Sequence, residues 1–192
     1  DTLWREWSRS TEVVYGTLDS LDSDLAGQLR NEFGIPEHLC DQFTELLFVV
    51  HSYFAFVARL VAVETLAIGW NEPESQPSHW SSLSDIELTN RIERLDAGEI
   101  PTGISTIQNL FESDVFSWWV DHLDIGLLRF ARPILDILGK FAFPTVAFGV
   151  IAPTDLLREL YLRLIPRELR GQLGEFPTPT WLAEASLERM VE

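Results

Sequence analysis

"LLFVVHSYFAFVARLVAVETLAIG", residues 46–69, is the stretch on which the fold turns. Wound as a helix, it is apolar almost all round, whereas a surface helix keeps one polar face. Such a helix is stable only inside a protein or a bilayer. Arg59, Glu64, His51 and Tyr53 interrupt it. A charge near a bilayer centre costs about 2.5–3.5 kcal/mol, so burial among other helices is the expectation and a membrane span is not. Pro36 stands upstream and Gly69 closes the run. Proline in a first turn and glycine past the last are the usual helix boundaries. Residues 36–69 are therefore expected to form the central helix of an all-α, multi-helix domain.

The flanking segments repeat the helical period. "TLWREWSRSTEVVY" (2–15) brings Leu3, Trp4, Trp7 and Val14 near one face, with Gly16 as its stop. "DSLDSDLAGQLRNEFGI" reads as a second helix ending near Gly34. Residues 70–84, "WNEPESQPSHWSSLS", are rich in Pro, Ser and Glu and read as an exposed loop. "SDIELTNRIERLDAG" carries Ser84 as N-cap with Glu87 three residues on, a capping box. "IPTGISTIQNLFESD" reads as a turn followed by a helix start. In "DVFSWWVDHLDIGLLRFARPILDILGKF" a stripe of Phe116, Trp119, Val120, Leu123, Leu127 and Phe130 predicts a helix that Pro133 kinks or divides. "AFPTVAFGVIAP" (142–153) is a short strand or buried loop, and "DLLRELYLRLIP" is a helix ending near Pro166. No internal repeat and no series of alternating strands is present.

Composition narrows the function. The chain has 192 residues, enough for one domain with a core, and a net charge of −16. One lysine, Lys140, stands against thirteen arginines and thirty acids. Affinity for nucleic acid usually comes from phosphate neutralisation, which this global charge opposes. Acid-rich, lysine-poor composition fits a salt-loving host, and a GC-rich genome would also favour arginine over lysine. A single cysteine, Cys40, excludes a disulfide framework, fits a reducing cytoplasm and reads as a small buried hydrophobe. His38, His51, His79 and His122 lack metal-ligand spacing, so no metal site is expected, and His51 reads as a hydrogen-bonded core histidine. There is no GxSxG, no Gly-rich phosphate loop and no pair of acids that spacing assigns to acid–base work, hence no catalytic residue. Arg158, Arg163, Arg167 and Arg170 fall close together and read as a solvated face partnered by Glu159 and Glu168, or as a local basic patch.

The C-terminal stretch "LRGQLGEFPTPTWLAE" resembles the "LGEFYTPxxLA" segment of the N-6 adenine DNA methyltransferases. "LFVVHSYFAFVARLVAVE", "FESDVFSWWVD" and "DLLRELYLRLIPRELR" are similar, in the same order, to the helical N-terminal region of restriction-modification and phage-defence methylases. The likeness covers about half the chain. It implies a helical N-terminal domain over 1–170, and over 171–192 a linker turn and first helix leading into a methyltransferase domain absent from this sequence. It implies S-adenosylmethionine as cofactor of the complete protein, DNA as partner, and a defence-system protein as a further partner. Phe176, Thr178 and Pro179 would be the cofactor-contacting positions. Gly174 suits a tight turn, Phe176 is expected to anchor it in a core, and Thr178 with Pro179 reads as an N-cap followed by a first-turn proline. Pro177 departs from the family, which has an aromatic residue there. The Gly-rich cofactor loop and the Pro-Pro-aromatic motif that holds a flipped adenine do not occur, so the chain alone is expected to be inactive. A stand-alone helical interaction module and an acidic DNA mimic are the alternative classes.

Overall fold

The computed structural model describes residues 2–15, 23–39, 43–69, 75–101, 106–107, 115–141, 156–176 and 178–191. Gly16, Cys40, residues 70–74, residues 102–105 and 108–114 of the expected turn and helix start, the apolar stretch 142–153 and Pro177 lie outside them. Among the described residues the chain is all-α. The helices are α1 (Thr2–Tyr15), α2 (Ser23–Phe33), α3 (Phe43–Gly69), α4 (Gln76–Ser81), α5 (Asp85–Asp96), α6 (Ile125–Gly139), α7 (Leu156–Leu164), α8 (Arg167–Leu173) and α9 (Thr180–Val191). A two-residue antiparallel pair, Ile100 facing Ile107 and Pro101 facing Thr106, is the sole β-structure among them.

Helix α3 is the spine, and its apolar circumference is used on several sides. Its N-terminal half packs Leu46, Leu47, Phe48 and Val50 with Trp7 of α1, Leu29 of α2, and Ile165, Leu169 and Leu173 around α7 and α8. Its C-terminal half packs Phe56, Leu60 and Val63 with Trp80 of α4, Leu88, Ile92 and Leu95 of α5, Trp119, and Leu128 and Leu135 of α6. Val57 and Val61 meet Leu160 of α7. By length and composition Phe43–Ile68 would suffice to cross a membrane, yet 61% of its most apolar window is buried within the protein. Both of its central charges are buried and partnered. Arg59 Nη1 lies 2.7 Å from Asp96 Oδ1 at the end of α5. Glu64 accepts the backbone N–H of Gln76 at 2.8 Å.

The spine is shorter than 36–69. Pro36 precedes a 3-10 turn at Glu37–Leu39, and the α-helix begins at Phe43. The expected loop at 70–84 is a larger correction. Residues 76–81 form α4, and its Trp80 is only 1% exposed. Three contacts hold α4 in place. Ser75 caps its start, Glu64 takes the Gln76 N–H, and Arg132 of α6 donates to the carbonyls of Ser81 and Leu83 and to Asp85. Gly139 lets α6 approach α4 directly: a Cβ there would lie 2.8 Å from Ser78 Cα, closer than real contacts allow.

The capping box at Ser84 and Glu87 forms as expected. The aromatic stripe from Phe116 does not run along one helix. Two 3-10 turns, Val115–Ser117 and Val120–His122, precede a fresh start in which Asp124 accepts the N–H of Leu127 at 2.9 Å. The chain divides at Asp124, and Pro133 sits within an unbroken α6. Consequently Phe130 is 52% exposed while Leu128, Ala131 and Leu135 face inward.

Candidate functional site

The C-terminal turn is built on two short helices. Pro166, at φ −53° and ψ 145°, separates α7 from α8. Between them Ile165 is fully buried, and Arg170 closes the break by donating from Nε to the Ile165 carbonyl at 3.1 Å. Leu169 and Leu173, one turn apart, hold α8 against the core. At its end Gly174 adopts φ +71°. The Gly174 N–H bonds the Gly171 carbonyl at 3.3 Å and the Glu175 N–H bonds the Arg170 carbonyl at 2.8 Å. This is a Schellman stop, and its left-handed residue favours glycine. The same bond pair with a positive-φ glycine ends α2 at Gly34 and α5 at Gly98.

Beyond the stop, Glu175 turns back. The Tyr161 hydroxyl donates to Glu175 Oε2. The Tyr161 ring stacks near His51 of α3 at 6.4 Å between centroids and meets Phe54 edge-on at 5.4 Å. His51 also lies against Trp7 and Phe116. A chain of rings therefore runs from α1 through the spine to the terminal turn. His51 departs from the expected hydrogen-bonded core histidine, because its buried Nδ1 has no partner of good geometry. Burial pushes its pKa down; the Glu175 carboxylate and the Leu47 carbonyl pull weakly the other way.

A cleft of about 350 Å³ opens beside this turn, lined by Arg158, Tyr161, Leu162, Arg170 and Gly174–Phe176. Two arginines and a carboxylate give it mixed charge. Of the four clustered arginines, Arg158, Arg163 and Arg167 are exposed and Arg170 is half-buried.

The three expected cofactor positions lie on the outer side of the turn. Phe176 is 77% exposed, so it does not anchor the turn in a core; Glu175 tethers it instead. Thr178 and Pro179 are exposed. Helix α9 begins at Thr180, and the Pro179 carbonyl accepts the N–H groups of Leu182 at 3.0 Å and Ala183 at 3.1 Å. Pro179 thus holds the N-cap position, with Thr178 one residue ahead of it. Along α9 every side chain from Trp181 to Met190 is exposed. Phe176 and the cleft residues lie together, whereas Thr178 and Pro179 face away from the described core. Sequence reasoning missed Tyr161 and His51 as parts of this site. A tyrosine fourteen residues ahead of a glutamate carries no motif.

No protein-family model, no curated protein and no solved structure matches this chain.

Proposed function

We propose that the chain is the helical N-terminal region of an S-adenosylmethionine-dependent N-6 adenine DNA methyltransferase from a restriction-modification or phage-defence system, and that it does not catalyse methyl transfer alone. The observation that supports this most is the form of the Gly174–Pro179 element. It leaves α8 through a left-handed glycine, passes Phe176 at the surface, and enters α9 with Pro179 as the N-cap and Thr180 opening the first turn. First-turn N–H groups lack carbonyl partners within their own helix and suit an anion such as the methionine carboxylate. The dipole contributes about 0.3–1 kcal/mol to such an interaction. The Gly-rich cofactor loop and the Pro-Pro-aromatic motif do not occur in this sequence, so the chemistry is assigned to a polypeptide that carries this chain as one region.

The test is titration of S-adenosylmethionine into the protein expressed from its complete reading frame, as wild type and Thr178→Val. The variant keeps the shape and removes the hydroxyl. A lost hydrogen bond costs about 1 kcal/mol, which weakens binding several-fold. Equal dissociation constants would remove Thr178 from the cofactor site. A wild type that binds no cofactor would remove the methyltransferase reading.

A second reading is an acidic helical protein-interaction module. It is favoured by one observation: Trp181, Leu187 and Met190 of α9 are between 63% and 82% exposed. Large apolar side chains gathered at a surface mark an interface.

A further inference from the structure

Between α3, the 3-10 turns and α6 lies a cavity of about 230 Å³ that shares no lining residue with the terminal cleft. Phe56, Trp118, Trp119 and Phe130 supply aromatic faces, Ile92 and Ala131 form aliphatic wall, and among the described residues no charged side chain lines it. Phe56 and Trp119 meet edge-on at 5.0 Å between centroids, which fixes one wall. Val49 and Phe130, about half exposed, form its rim.

Its polar groups are largely committed. Ser52 Oγ donates to the Phe48 carbonyl and accepts from Trp118 Nε1, both at 2.9 Å. Trp119 Nε1 donates to the Phe116 carbonyl at 2.8 Å. Tyr53, a half-buried lining residue, contributes one phenol that burial keeps protonated. An apolar cavity of about 150 Å³ already accepts benzene and stays dry when empty. Here the space is larger, aromatic on several sides and offers at most one hydroxyl.

We propose that this cavity is a binding site for a small neutral aromatic molecule between benzene and indole in size. Apolar contact and ring–ring geometry supply the affinity. A charged ligand is disfavoured, because its ion would lose water and gain no opposite charge. None of its lining residues belongs to the terminal turn.

The experiment is an NMR titration of the protein with indole, read at the methyls of Val49, Leu127 and Ala131 and the indole N–H groups of Trp118 and Trp119. Benzoate serves as the charged counterpart. Saturable shifts confined to these residues are expected, with a Kd under about 1 mM. Benzoate is expected to bind at least about tenfold more weakly. Ala131→Leu fills the cavity and should abolish the indole shifts. Should that variant fail to fold, Val49→Trp, placed at the exposed rim, closes the mouth and should do the same. The proposal is overturned by an absence of saturable shifts up to the solubility of indole, by equal binding of indole and benzoate, or by unchanged binding in a folded cavity-filled variant. Tighter binding of N-acetyltryptophanamide than of indole would also overturn it, in favour of a protein side chain as the occupant.

Discussion

The Tyr161 hydroxyl binds the Glu175 carboxylate, and this bond joins the terminal turn to the ring cluster on the spine. Tyr161→Phe keeps the ring and deletes the tether. A hydrogen bond to a charged group contributes about 1.5–3 kcal/mol, with the lower end appropriate to a half-buried site. Denaturant unfolding should show a loss near about 1.5 kcal/mol, and amide exchange at Gly174–Phe176 should accelerate. Unchanged exchange there would mean that the Tyr161 hydroxyl does not hold the turn.

Arg59 and Asp96 form a buried ion pair at 2.7 Å, with side-chain exposures of 6% and 11%. Asp96→Ala removes the carboxylate that faces a buried guanidinium and should cost about 3–5 kcal/mol. Replacing both partners by apolar residues, as Arg59→Met with Asp96→Leu, should recover most of that loss. Chemical denaturation of the two variants checks this. A double variant no more stable than Asp96→Ala would show that the pair is needed for more than mutual neutralisation.

His51 sets a pH dependence. Its pKa is lowered in the folded state, chiefly by burial. The unfolded chain therefore takes up its proton first as pH falls, so stability is full above about pH 6.5 and declines below it. His38, His79 and His122 are exposed. Unfolding midpoints measured from pH 8 to pH 5 should fall for the wild type and fall less for His51→Phe. Parallel curves would assign the acid loss to other groups.

A net charge of −16 should make the fold salt-dependent. Self-repulsion is strongest at low ionic strength and is screened as salt rises. The melting temperature should climb with KCl into the molar range. A flat or falling curve would contradict the salt-adapted reading of the composition.

What could be read from the residues was what local chemistry dictates. The spine was legible because no face of it is polar, and Ser84 with Glu87 and the glycines at 34 and 174 acted where capping rules place them. Helix α4 was not legible. Its Gln-Pro-Ser-His-Trp-Ser run resembles a loop, and its partners Glu64 and Arg132 are twelve and fifty-one residues away from Gln76 and Ser81. The stripe from Phe116 misled because periodicity does not register a local restart, here the cap at Asp124. At the candidate site the left-handed Gly174 was legible. The outward position of Phe176 and the tether from Tyr161 were not, since both follow from where α7 and α8 dock on α3.

The central claim is that these helices belong to an adenine methyltransferase. The direct measurement is to incubate the protein, expressed from its complete reading frame, with methyl-labelled S-adenosylmethionine and unmethylated DNA, then hydrolyse the DNA and identify the labelled nucleoside. Label is expected in N6-methyladenine, with none transferred by residues 1–192 alone. Methyl transfer by residues 1–192 alone, or a complete protein that binds DNA and leaves its adenines unlabelled, would contradict it.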